Sequence, residues 1–327
     1  IFPFALLGEL GFEQRFWFRW LAIIISLGGL ILFYKFICLI VNKTAAFWGT
    51  VFYGFSTTFL DFADSVATQP IDDLLKYGII FASILALKKE KNYNYLLWLL
   101  YFFLSISTYD STFFIFTWLI GLDILIRKVW AFKRWLFFAS APILAFALQV
   151  IQNAWYLGWH NVISDFQGAY IRRNAIGSFM DYTHALYAPL KWFLAPTAPL
   201  NNLSFSPNTK WLIAISVVTL LAVGIFILFK KNSEFLKDTA KISMLLYLSS
   251  IVQQIFIPAD MTWSYGGRFI ALLLGLFVGV LMVLAGKYLK QPRLYLMPFA
   301  ITVLILTSLW SLEIKNTIEY LKRWPNH

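Results

Sequence analysis

The stretch from Ala67 to Lys89 reads ATQPIDDLLKYGIIFASILALKK. A proline and two adjacent carboxylates, Asp72 and Asp73, open it; an apolar run follows; Lys88 and Lys89 close it. Proline is tolerated in a first helical turn, where its missing N–H has no intrahelical partner. Acids at the start and bases at the end complement the helix dipole. The run between them is lipid-like, so the stretch reads as a membrane helix with an acidic mouth. Asp72 has two ordinary uses there, capping the helix or pairing with Lys76 four residues on. A third use is chemistry at a membrane surface.

The rest of the chain extends this pattern. Its 327 residues are 60% hydrophobic and 19% aromatic, with 13% charged. Soluble domains carry about 45–50% apolar and about 25% charged residues. The low charge places the chain in a bilayer. The formal net charge of +11 is spread in short clusters between apolar runs, not in one stripe, which speaks against a nucleic-acid partner. Cys38 is the only cysteine and cannot form an intrachain disulfide.

About 20 apolar residues cross the hydrocarbon core, fewer when the ends snorkel. The sequence predicts an all-α, polytopic transmembrane bundle with spans near 17–41, 45–61, 73–87, 95–109, 111–126, 135–152, 211–229, 241–257, 269–286 and 294–312. The fourth and fifth are separated only by STYDST (Ser107–Thr112), which leaves open whether they form one bent helix. In that case Asp110 would lie inside the membrane, where an acid is costly and functional by default.

Orientation follows from the basic residues. Lys43, then Lys88, Lys89 and Lys91, then Arg127, Lys128, Lys133 and Arg134, then Lys230, Lys231, Lys237 and Lys241, and finally Lys287, Lys290 and Arg293 fall in one set of loops. The opposite short loops, 62–72, 108–111 and 258–268, hold only Arg268. The basic set is cytoplasmic by the positive-inside rule. The chain therefore divides into a membrane module over 1–152, an outer loop over 153–210 and C-terminal membrane helices over 211–327. In the outer loop Val162, Phe166 and Tyr170, and then Leu186, Leu190 and Leu194, recur every four residues, the pattern of amphipathic helices in the headgroup layer.

Three histidines are too few for a multi-histidine zinc site, and no HExxH, P-loop or dinucleotide fingerprint occurs. Gly275 and Gly279 form a G-x-x-x-G, read as close helix packing. The remaining polar groups collect on the outer face: Asp61, Asp64, Asp72, Asp73, Tyr109, Asp110, His160, Arg172, Arg173 and Arg268. Carboxylates activate hydroxyls or hold divalent metals, and arginines neutralise phosphates. Trp155, Trp159, Trp192 and Trp263 lie among them, with ring faces suited to lipid and sugar. The combination points to an anionic, lipid-linked substrate. Each group also has a plainer reading: loop solvation for Asp61 and Asp64, headgroup contact for Arg172 and Arg173, an interface anchor at Arg268, a structural role for His160.

The segment IFPFALLGELGFEQRFWFRWLAIIISLGGLILFY, with Pro3, Gly11, Glu13 and Arg15 or Arg19, resembles the region after the first outer loop of GT-C glycosyltransferases. These include the dolichyl-phosphate-mannose protein mannosyltransferase-like family and bacterial aminoarabinose transferases. ATQPIDDLLKYGIIFASILALKK is similar to the family's outer-loop acid and following helix, and SYGGRFIALLLGLFVGVL to its late arginine–aromatic pair at Arg268 and Phe269. The resemblance covers about 130 residues well and thins afterwards. It departs at Tyr109–Asp110, where many relatives carry a lysine. The family's principal catalytic acid precedes the proline segment, which places it upstream of Ile1. The chain is accordingly expected to be an N-terminally shortened piece.

The resemblance implies a plasma (inner) membrane enzyme with an extracytoplasmic active face. It would transfer a sugar from a polyprenyl-phosphate donor to a glycolipid, polysaccharide or protein acceptor. Asp72 and Asp73 would be a second acid, and Arg268 the lipid-phosphate contact. Arg172, Arg173, Asp61, Asp64, Tyr109, Asp110 and His160 would line the substrate site. The cofactor it leaves room for is a divalent cation, magnesium or manganese. Rival readings are a secondary transporter or lipid flippase, and a protein like the O-antigen polymerases and ligases.

Overall fold

The computed structural model describes residues 15–54, 68–89, 92–108, 111–164, 234–255 and 271–289, with isolated positions 6, 8–11, 59, 63 and 167–168. Among the described residues the regular structure is helical and no strand occurs. The elements used below are α1 (Arg15–Ile40), α2 (Lys43–Gly54), α3 (Gln69–Lys89), α4 (Asn94–Ser107), α5 (Thr112–Gly121), a π-helical turn (Leu122–Arg127), α6 (Phe132–Leu157), α7 (Glu234–Ile255) and α8 (Ala271–Leu289).

Among the described residues two stretches, Phe16–Ile40 of α1 and Phe132–Leu157 of α6, are long and apolar enough to cross a membrane. At 1.5 Å per residue, 25 residues make about 37 Å, more than the ~30 Å hydrocarbon core. Both helices keep large apolar side chains outward, Ile24 and Ile31 on one, Leu136, Ile143 and Ile151 on the other. In water such a surface would be a liability; against lipid it needs no cover. The expected spans at 211–229 and 294–312, and most of the outer loop, lie outside the described residues.

α1 packs along α3 and α2, α4 lies between α3 and α6, and α8 lies against α2. Phe33, Phe36, Tyr53, Tyr77 and Trp118 are buried where these helices meet. Trp118 Nε1 donates to Ser83 Oγ at 2.9 Å, so the indole's one polar group is satisfied inside the core.

Small residues set the closest approach. A Cβ on Gly279 would stand 2.5 Å from the Ala45 carbonyl oxygen, and one on Gly275 would collide with the Phe33 ring. Gly49 of α2 faces Gly275 so tightly that a methyl there would strike its carbonyl. The G-x-x-x-G is thus a contact between α8 and α2, the packing expected of it.

α4 and α5 are separate helices. Thr108 leaves the helix in an extended conformation, φ −158° and ψ 142°. The Tyr101 hydroxyl then donates to the Thr112 carbonyl at 2.8 Å. Along a straight helix those residues would stand about 16 Å apart at 1.5 Å per residue. The chain therefore turns back between them, and the single bent helix is excluded. Beyond α5 the π-helical turn ends at Lys128, whose φ of 58° is left-handed.

Candidate functional site

The acid pair sits on the opening of α3. Pro70 occupies the first turn, and the Asp72 amide donates to the Thr68 carbonyl at 2.8 Å. Gly28 and Gly29 of α1 let that turn approach closely. A Cβ on Gly28 would lie 3.1 Å from Leu74 Cδ1, and one on Gly29 3.4 Å from the Leu74 nitrogen. The consequence is burial: Asp72 is 3% exposed and Lys76, one turn on, 1%. These are not the solvated groups of a helix mouth.

Lys76 holds the two acids together. Its Nζ is 2.9 Å from Asp73 Oδ1 and 3.8 Å from Asp72 Oδ2. It also lies 5.1 Å from the centroid of the Tyr77 ring. A second connection enters from α2: the Tyr77 hydroxyl donates to the Tyr53 hydroxyl at 3.0 Å, and Tyr53 donates to Asp73 Oδ2 at 3.4 Å. The third comes from the turn between α4 and α5, where Ser111 Oγ donates to Asp72 Oδ2 at 2.8 Å. Three segments therefore meet at one buried polar cluster.

Of the pairing and capping uses open to Asp72, the structure contains the pairing, and extends it to Asp73. Among the described residues, the two carboxylates share the Lys76 ammonium. Burial strengthens each interaction and raises the cost of breaking it. Asp73 is the more open acid, its side chain 13% exposed against 5% for Asp72. An arrangement of this kind can accept a hydrogen bond from a substrate hydroxyl or exchange a proton.

The described carboxylates do not by themselves fit a magnesium or manganese site. The Lys76 ammonium sits against both, and among the described residues no group of three His, Cys, Asp or Glu comes together. Of the other expected site residues, His160 is exposed on a helical segment over 159–164. Asp61, Asp64, Tyr109, Asp110, Arg172, Arg173 and Arg268 lie outside the described residues.

Sequence reasoning did not single out Tyr53, Tyr77 or Ser111. Ser111 carried a signal, since it lies in the polar break STYDST. Also missed was Asp123 in the π-helical turn, 1% exposed. Arg134 Nη1 donates to its Oδ1 at 2.6 Å, Trp135 Nε1 to its Oδ2 at 3.1 Å, and Arg127 is 3.5 Å away. Its signal was an acid four residues before an arginine at the end of an apolar run. This second cluster fastens the π-helical turn to the start of α6 and is structural in character.

Comparison with protein-family models, curated proteins and solved structures finds no match.

Proposed function

We propose that this chain is a polytopic membrane glycosyltransferase of the GT-C kind, crossing the bilayer about ten times. It moves a sugar from a polyprenyl-phosphate donor to an extracytoplasmic acceptor. The observation that carries the reading is the Ser111–Asp72 hydrogen bond. It joins two segments, 62–72 and 108–111, that the basic-residue pattern assigns independently to the same outer side. A polar cluster built from both belongs where a lipid-linked sugar meets its acceptor.

In this reading Asp73 binds the acceptor hydroxyl. Lys76 and Tyr53 fix the carboxylate's orientation, so the acid does not reorganise as the acceptor arrives. Asp72 anchors Ser111 and with it the start of α5. Arg268 stabilises the phosphate. The acceptor oxygen forms the new bond to the anomeric carbon as its O–H bond breaks and the proton passes to the Asp73 carboxylate, and the carbon–oxygen bond to phosphate breaks with its electron pair leaving on the lipid phosphate. No step is assigned to a metal.

The test is transfer from a lipid-linked sugar donor by the full-length protein in proteoliposomes. Asp73→Asn and Arg268→Ala should each lower turnover about 100-fold or more, the scale for losing one charge-stabilising contact. Unchanged turnover in both removes the assignment. A secondary transporter is favoured by one observation, the buried Asp–Lys group on a membrane-type helix. Solute uptake into the same vesicles without sugar transfer would establish it.

A further inference from the structure

A second site lies on the lipid side of the bundle. α1, α3 and α4 enclose a groove of about 360 Å³, lined almost wholly by apolar atoms, with Leu32, Gly78, Phe81, Leu85, Tyr93 and Leu96 among its walls. It opens beside Leu96, which is 44% exposed. Along α3 it runs from Leu74 to Leu85, about 17 Å at 1.5 Å per residue. That is about half the ~30 Å hydrocarbon core, the depth of one leaflet. At about 30 Å³ for a water-sized group, the volume holds roughly a dozen methylenes, one chain and not two.

The ends of the groove differ in charge. On α1 the lining residue Leu32, beside Gly78, is followed one turn on by exposed Lys35, level with Phe81 and one turn short of Leu85. On α3 the lining residue Leu85 is followed at three and four residues by Lys88 and Lys89, and both helices thus carry the lining stripe into lysines. Tyr93 stands at the same end, at the start of α4. Lys88 is engaged with the Leu39 carbonyl, which leaves Lys35 and Lys89 as the outward cations of this trio. At the other end Leu74 adjoins Asp73. Among the described residues, the cations beside the groove therefore lie away from its Asp73 end.

We propose that this groove binds one acyl chain of an anionic phospholipid of the basic-side leaflet, with its phosphate held by Lys35 and Lys89. Basic pockets between membrane helices on the cytoplasmic side take such headgroups. The inference needs these helices to lie in a bilayer; it does not depend on the transfer reaction.

Binding is read by native mass spectrometry of delipidated full-length protein, titrated with dioleoyl phosphatidylglycerol, dioleoyl phosphatidylcholine or a polyprenyl phosphate. Wild type should prefer the glycerol lipid over the choline lipid by at least tenfold. Lys35→Gln with Lys89→Gln should weaken the glycerol lipid about 30-fold, which at 1.4 kcal/mol per tenfold is roughly 2 kcal/mol, about one for each lysine. The choline lipid should be unaffected. Leu96→Trp, which fills the opening, should weaken both. Equal affinity for the two lipids, or no effect of the lysine changes, overturns the headgroup assignment. Wild-type binding by Leu96→Trp overturns the groove. Loss of polyprenyl phosphate alone in Leu96→Trp would assign the groove to the donor lipid instead. Asp73→Asn, which tests the transfer reaction, should leave phospholipid binding intact, so the two readings fail separately.

Discussion

Replacing Lys76 with methionine removes a cation that faces both buried acids while nearly preserving side-chain volume. The lysine is 1% exposed, and the Asp72 and Asp73 side chains are 5% and 13% exposed. Removing one partner from a buried pair costs about 3–5 kcal/mol, because the other charge stays buried; an exposed pair is worth about 0–1 kcal/mol. Asp73's partial opening puts the expected loss near the lower figure, about 3 kcal/mol. Asp73→Asn should cost less, about 1 kcal/mol, since Asp72 and Lys76 still balance each other. In the double variant one carboxylate remains, bonded to Ser111. It should recover at least about 1 kcal/mol relative to the sum of the single changes. The assay is reversible unfolding of the full-length protein in mixed micelles, followed by loss of helical circular dichroism. A Lys76→Met loss under about 1 kcal/mol, or strict additivity in the double variant, would show that the cluster is wet and the burial argument wrong.

Three further outcomes follow from the packing. Gly279→Val places its first side-chain carbon 2.5 Å from the Ala45 carbonyl oxygen, so α8 and α2 must separate; a loss of about 1–3 kcal/mol is expected in the same unfolding assay. Asp123→Ala leaves Arg134 facing the core without its carboxylate, and should cost about 3–5 kcal/mol with no change in any lipid-binding constant. Trp118→Phe keeps the ring but loses the 2.9 Å bond to Ser83. Because Ser83 Oγ still donates to the Ile80 carbonyl at 2.7 Å, the loss should be only about 1 kcal/mol.

Helix positions were legible where apolar length alone decides them. The apolar run at 17–41 corresponds to the helix Arg15–Ile40, long and apolar enough to cross a membrane, and the runs at 73–87 and 95–109 correspond to the helices Gln69–Lys89 and Asn94–Ser107. A continuous apolar run has one stable form in lipid, because each backbone group must be bonded within the segment. The reversal at Thr108 was not decided by pattern. STYDST is polar enough for a turn and short enough for a bend, and the choice is made by tertiary contact, Tyr101 reaching Thr112. The acid pair was visible, but its burial was not. Asp72 and Asp73 look solvated in one dimension, and only the approach permitted by Gly28 and Gly29 closes α1 over that turn. Tyr53 escaped notice because a tyrosine in an aromatic-rich helix carries no local mark of its hydrogen bond. Asp123 was passed over beside arginines read only as topology signals.

Which side of the membrane the acidic end of α3 faces decides the proposed transfer reaction, whose acceptor is extracytoplasmic. The most direct measurement is labelling of intact cells with a membrane-impermeant maleimide, with Cys38 replaced by serine and a single cysteine placed at Thr68 or at Lys89. The account predicts that position 68 reacts from outside, and that position 89 reacts only after permeabilisation. Labelling of 89 but not 68 in intact cells would put the aspartates on the cytosolic side and contradict it.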